Sequence, residues 1–210
     1  TAPDPTDTMS VVNAIEKHQA TLYVGTPTFL QWMSRNHKVQ PHQLDSMRIV
    51  VSGAEPLKLA VREAFESKFG KIIYEGYGAT EMSPAVSVNI PDEPLADCGM
   101  SPMSQQGNRI GSVGRPLPGT LLRIVDRESL QPLPEGEDGL ILMAGVQQMS
   151  GYLCPQQPCS QPLIKQDGVS WYSSGDKGHV DAEGFLTIVD RYARFAKVGG
   201  EMVSLTAVEE

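Results

Sequence analysis

No apolar run in these 210 residues reaches the roughly 20 needed to cross a bilayer. The first ten residues are polar and lack a basic segment, so no secretory leader is expected there. The chain opens on Thr rather than Met and ends inside a helix-like pattern, Thr206 to Glu210, so it is expected to be a piece of something longer. Cysteine is scarce. Cys98, Cys154 and Cys159 form no C-x-x-C pair, and free thiols in a reducing compartment are expected. Basic residues are outnumbered, 17 against 25 acidic, and the net charge of -8 argues against a broad nucleic-acid surface. His18, His37, His42 and His179 stand far apart without ligand spacing, and none is assigned to a metal. There is no G-x-S-x-G elbow and no trio arguing for nucleophilic hydrolysis.

What is present fits a globular protein rich in turns: 40% apolar residues, 16 prolines and 20 glycines, in a length that allows one large domain or two small ones. Asp7 or Thr8 can cap a helix through Val11, Val12 and Ile15. Ala20 to Val24 reads as a buried strand and Phe29 to Asn36 as a helix. Arg48 to Val51 reads as the next strand. Ser52-Gly53-Ala54-Glu55-Pro56-Leu57 is a loop just after it, with Pro56 suited to the first turn of a helix that buries Leu57, Val61, Ala64 and Phe65 and stops at Gly70. Lys71 to Tyr74 reads as a strand. Gly76 and Gly78 would then turn the backbone sharply and present Thr80 and Glu81. This alternation of helix and strand predicts an α/β sheet with ligands beyond the carboxyl ends of its strands.

The pattern changes near Asn89. Pro91 to Asn108 reads as a long loop. Short strands follow at Leu121 to Val125, Gly139 to Met143 and Phe185 to Val189, separated by turns such as Leu133 to Gly136 and Asp181 to Gly184, which predicts a small distorted barrel or sandwich. Val198 to Leu205 reads as a turn and a strand.

Several residues can carry chemistry. A hydroxyl and a carboxylate side by side, Thr80 and Glu81, can serve a phosphate and its magnesium ion; the same segment equally fits a surface turn. Asp176, in Trp171-Tyr172-Ser173-Ser174-Gly175-Asp176, can accept both hydroxyls of a ribose or simply close an Asx turn. Arg191 can reach a ribose hydroxyl or a phosphate, or remain a solvated charge. Lys197 with Gly199 and Gly200 can pass an extended substrate arm or form a hairpin. Tyr74 and Tyr77 can stack on a purine or pack internally.

Taken in order, these segments resemble the adenylate-forming superfamily, the acyl-CoA synthetases and their relatives. Tyr74 through Glu81 is similar to that family's Y-G-x-T-E motif. The resemblance implies that Thr80 touches the nucleotide phosphate, that Glu81 binds Mg2+, and that Tyr77 lies against adenine. Ser52 to Leu57 resembles the loop bordering adenine, and the resemblance implies nucleotide binding by Gly53, Ala54, Glu55 and Pro56 and, in the motif itself, by Tyr74, Gly76 and Gly78. Gly111 through Gly119 resembles G-x-V-G-x-P-x-P-G, and Gly139 through Gly151-Tyr152 resembles G-E-L…G-Y. Tyr172 to Asp176 resembles Y-x-T-G-D, which implies ribose binding by Asp176. Asp190-Arg191 matches the pair that opens the hinge, and Gly199-Gly200-Glu201 a loop near the pantetheine path. Departures are Asp190 in place of glycine, Ser174 in place of threonine, and Glu137-Asp138-Gly139 in place of the family's glutamate after glycine. The family's Ser/Thr/Gly-rich phosphate loop and its small-domain lysine are not found in these residues.

The run from Arg191 to Leu205, with Arg194 and Phe195, resembles the acyl-acyl-carrier-protein synthetase part of the bifunctional 2-acylglycerophosphoethanolamine acyltransferase/acyl-ACP synthetases. The resemblance therefore implies an α/β adenylation domain (1–106), a β-rich subdomain (107–190) and the start of a C-terminal α+β domain (191–210). It implies ATP or AMP and Mg2+, a fatty acid, and the phosphopantetheine of acyl carrier protein or coenzyme A as acceptor. It also implies a lysophospholipid met through the parent protein, a cytoplasmic-face location with the parent at the inner membrane, and a soluble fragment of little activity alone. A non-catalytic nucleotide-binding or carrier-docking module, and a ligase for another carboxylic acid, remain alternatives.

Overall fold

The computed structural model describes residues 4–94, 104–153, 163–192, 195–198 and 201–204. The elements run α1 (Thr8–His18), β1 (Leu22–Gly25), α2 (Pro27–Arg35), β2 (Ile49–Ser52), α3 (Leu59–Phe69), β3 (Ile73–Gly78), β4 (Ala85–Val88), β5 (Glu93–Pro94), β6 (Ser104–Gln105), β7 (Arg115–Pro116), β8 (Thr120–Val125), β9 (Gly139–Gly145), β10 (Leu163–Gln166), β11 (Val169–Val180), β12 (Leu186–Arg191), β13 (Phe195–Val198) and β14 (Glu201–Ser204). Single 3-10 turns form at Pro41–Leu44 and Thr80–Met82. The chain divides into two compact units, Thr1–Tyr77 with Val88–Asn108, and Gly78–Ser87 with Arg109–Glu210.

In the first unit β1, β2 and β3 lie side by side and parallel, joined through α2 and α3. Register explains which residues face the helices. Val50 lies opposite both Tyr23 and Ile73, and all three meet a core made with Val12, Ile15, Leu30, Met33, Phe65 and Phe69. The helices end as their sequences dictate. Asp7 accepts the Ser10 amide at the start of α1, and Gly70 closes α3 in the left-handed region, where a Cβ would be strained.

In the second unit β10, β11, β9 and β8 form an antiparallel sheet in that order, and β12 pairs with the second half of the long strand β11, beyond the stretch that pairs with β10. From Gly139 to Ala144 every residue of β9 is buried. Val125, Leu140, Leu142, Ala144 and Trp171 form a core there. β13 and β14 pair antiparallel, Phe195 opposite Ser204 and Val198 opposite Glu201.

Four expectations are corrected. Gly76 and Gly78 do not turn the chain: β3 continues through both, without positive φ, and the turn comes at Thr80–Met82. Gly78 is instead a close-approach residue, because a Cβ there would sit 1.8 Å from the Pro84 carbonyl oxygen. Pro56 lies ahead of α3 rather than in its first turn. The preceding loop carries a left-handed Ala54 at φ 69 and is tied by Thr28 Oγ1 donating to Glu55 Oε2 at 2.8 Å, and Lys58 is extended, so the helix starts only at Leu59. The residues around Asp176, assigned to no strand by their composition, lie inside the twelve-residue strand β11. Pro91 to Asn108 carries the β5–β6 pair, and Asp92 accepts the amides of Gly107 and Asn108. Cys98, Cys154, Cys159, Arg194, Gly199, Gly200 and Leu205 lie outside the described residues.

Candidate functional site

In the first unit the expected adenine-side residues gather at the carboxyl ends of β2 and β3. Ser52 pairs with Glu75, and a Cβ on Gly53 would lie 3.1 Å from the Gly76 carbonyl oxygen, so two loop ends run close together there. Ala54, Glu55 and Pro56 are exposed and Tyr77 is half-buried. Tyr74 is buried, which raises its phenol above the usual range, with Asp92 and Glu66 adding to the effect. It belongs to the wall of this region rather than its opening. The strand end is braced from α3. Arg62, 5% exposed, donates to the Ile73 carbonyl at 2.8 Å and pairs with Glu66 and Glu75. Burial pushes the Glu75 carboxyl up more than Arg62 pulls it down.

The second unit brings together four of the expected residues: Thr80, Glu81, Asp176 and Arg191. Thr80 and Glu81 open the 3-10 turn, and Thr80 is exposed. The Tyr152 hydroxyl donates to Glu81 Oε1, and Met149 N–H donates to the Glu81 carbonyl at 2.8 Å. The hydrogen bond from Tyr152 is the main reason the Glu81 carboxyl is held below the ordinary carboxylate range; Tyr172 and the charge of Arg191 add to it. Tyr172 is buried on β11, and burial together with the charges of Glu81 and Asp176 pushes its phenol up to about 12. Tyr172 therefore stays neutral between the two carboxylates.

Asp176 owes its place to a β-bulge. Ser173 pairs with Leu142 and Lys177 with Leu140, so β11 holds extra residues between them, and Gly175 takes φ +75. Ser174, buried, donates its hydroxyl to the Ile141 carbonyl at 2.8 Å and accepts the Asp176 amide at 3.0 Å. The hydroxyl that replaces the family's threonine thus ties the bulge to β9. Arg191 is the cross-strand partner of Asp176, its Nε 3.3 Å from Oδ1.

Among the described residues no group of three or more His, Cys, Asp or Glu could cage a metal. The donors around Glu81 are one carboxylate and neutral phenols. Such an all-oxygen set fits Mg2+, which is usually completed by substrate phosphates and water. The sequence reading did not single out Tyr152 or Tyr172 as functional. Each stands at a fixed place in a quoted motif, after Gly151 and four residues before Asp176, but an isolated tyrosine reads as packing.

An α/β sheet carrying loops at its strand ends, followed by a curled antiparallel half-barrel sheet, is the architecture of adenylation domains. The AMP-binding enzyme family matches residues 1–153, and the chain belongs to that family. It is 31% identical over 207 residues to a long-chain-fatty-acid–CoA ligase of Bacillus subtilis, covering 99% of this chain and 33% of that protein. It is similar to the anthranilate CoA ligase AuaEII solved in complex with anthranoyl-AMP, at 27% identity and TM-score 0.74, over 96% of this chain and 35% of that one. It is also similar to ATP-bound MatB from Rhodopseudomonas palustris, at 25% identity and TM-score 0.73, over 94% of this chain and 36% of that one. The chain spans about a third of the length of the curated relatives it matches. No described helix is long and apolar enough to cross a membrane.

Proposed function

We propose that this chain is part of an ATP-dependent acid–thiol ligase that activates a carboxylic acid as its acyl-adenylate. The observation that carries this reading is the gathering of Glu81, neutral Tyr172 and the Asp176–Arg191 pair within one unit. In the reaction, a carboxylate oxygen of the acid attacks the α-phosphorus of ATP. The bond to the β-phosphate oxygen breaks and pyrophosphate leaves. A thiol then attacks the acyl carbon, and AMP departs. Asp176 accepts the ribose hydroxyls, and Arg191, oriented by Asp176, donates to a ribose hydroxyl or phosphate. Thr80 donates to a phosphate oxygen. Tyr77 borders adenine, beside the loop of Gly53, Ala54, Glu55 and Pro56 that Gly76 approaches. Gly78 lets the chain turn back tightly after Thr80–Glu81, and Tyr74 and Gly76 belong to the nucleotide-binding segment of the first unit. Glu81 is the magnesium ligand, and the bound ion would neutralise charge on the phosphoryl oxygens.

The finer assignments follow from likeness. The long-chain-fatty-acid–CoA ligase relatives support a fatty acid as substrate. The Arg191 to Leu205 run supports the narrower reading: an acyl-ACP synthetase joined to a 2-acylglycerophosphoethanolamine acyltransferase, with phosphopantetheine as acceptor and a lysophospholipid as final recipient. A parent protein at the inner membrane belongs to the same reading. The same likeness supports a layout of an adenylation part (1–106), a β-rich part (107–190) and the start of a C-terminal part (191–210). The chain alone should turn over little. Pyrophosphate release is measured for this chain and for its full-length parent, with a fatty acid or an aryl acid, and with acyl carrier protein or coenzyme A. Turnover by the parent with fatty acid and carrier protein supports the reading; robust turnover by the chain alone, or none by the parent, overturns it.

A further inference from the structure

We propose that Tyr152 is a positioning residue that fixes the Glu81 carboxylate in one orientation, with Tyr172 as the second support; this rests on Glu81 being the magnesium ligand. Glu81 sits in a single 3-10 turn of three residues, and Ser83 after it is already in the left-handed region at φ 54. So short a turn places the Cα of Glu81 but not its flexible side chain, which has three rotatable bonds. The following residues of the second unit supply the restraint.

The stretch from Gly145 to Tyr152 reaches the turn twice. Met149 N–H donates to the Glu81 carbonyl at 2.8 Å, and the Tyr152 hydroxyl donates to Glu81 Oε1. The stretch is itself tied down. Gln147 Nε2 donates to Thr120 Oγ1 on β8 at 2.5 Å, and Gln148 N–H donates to the Gly145 carbonyl at 3.1 Å. It therefore acts as a strap from β9 across the metal-ligand turn. A phenol on Oε1, with a second one from Tyr172 on the same carboxylate, restricts its orientation, as partners behind a metal ligand do. Tyr152 is 43% exposed, so its ring adds little to the core and is explained by its hydroxyl. Tyr172 is buried at 8% exposure and is held by the strand core as well.

The test compares the wild-type chain with Tyr152→Phe, Tyr172→Phe and Glu81→Gln. Side-chain scalar couplings of Glu81, read by NMR without metal, report its rotamer. The expected result is one rotamer in the wild type and averaging in Tyr152→Phe, with thermal unfolding unchanged. Electron paramagnetic resonance then reads Mn2+ binding in the presence of ATP, where Tyr152→Phe should weaken binding about tenfold, the lower end of the usual effect of removing such a partner. A Glu81 rotamer that stays fixed in Tyr152→Phe overturns the proposal, even if Mn2+ binding depends on Glu81. Mn2+ binding that is the same in Glu81→Gln and wild type overturns the metal-ligand reading instead, and with it any functional meaning of the restraint.

Discussion

Gly78 shows how one side chain's absence shapes a site. It is exposed and extended, so the usual reason for glycine, a left-handed backbone, does not apply. The reason is the Pro84 carbonyl, which returns within 1.8 Å of where a Cβ would stand. The Thr80–Glu81 turn is therefore folded tightly back on the end of β3. Gly78→Ala should cost about 3 kcal/mol, at the upper end for overpacking, because the obstacle is backbone and not a side chain that can swing away. Urea unfolding of the variant measures this; a loss within error of zero means the turn relaxes freely. Reading Y-G-A-T-E as a motif singled out Thr80 and Glu81, yet it misjudged the glycines, since sequence shows that glycine is needed but not which atom excludes a Cβ.

Two elements draw their stability from contacts that propensity does not encode. α2 ends at Arg35, and Lys68 of α3 donates to the carbonyls of Met33, Ser34 and the C-cap Asn36 at 3.1, 3.1 and 2.8 Å, the last of which also accepts the Val39 amide. Lys68→Met keeps the stem and removes the three bonds, and a loss of about 2 kcal/mol is expected in urea unfolding from bonds to a charged donor. In the second unit the β8 hairpin turn is closed by Asp126, which accepts from the amides of Glu128 and Ser129 and from the Ser129 hydroxyl. The Ser129 amide leads in holding its carboxyl below the ordinary 3.8. A depressed acid stabilises the fold fully above its unfolded value and loses that contribution as pH falls through the native one. The thermal midpoint of the wild type should therefore drop on going from about pH 5 to pH 3, and Asp126→Asn should show a shallower drop. Element types in the α/β part were readable because helix and strand periods differ. β11 was not, since Ser173-Ser174-Gly175-Asp176-Lys177-Gly178 has the composition of a turn, and only pairing with β9 and β12 on both sides makes it a central strand.

Across the whole molecule, the second unit joins residues more than a hundred positions apart: Glu81 from a turn, Tyr172 and Asp176 from β11, and Arg191 from the end of β12. If the site reading is right, Asp176→Asn weakens ATP binding to this chain by about tenfold, the loss of charge-assisted bonds worth roughly 1.4 kcal/mol. Asp138→Asn is the control. Asp138 is another carboxylate of the same unit, paired with Lys177 and His179, and calorimetry should find its ATP affinity unchanged. Equal affinity in wild type and Asp176→Asn removes the ribose role. By itself the sequence determined the α/β alternation, the positions of Thr80, Glu81, Asp176 and Arg191, and their likeness to one family, because periodicity and motif spacing are local properties of the chain. Only the tertiary structure decided that Tyr152 and Tyr172 stand at Glu81, that Asp176 and Arg191 pair across strands, and that Gly78 is a point of close approach. Hydrogen bonds and steric exclusion depend on distance in space, and separation along the chain does not reveal it.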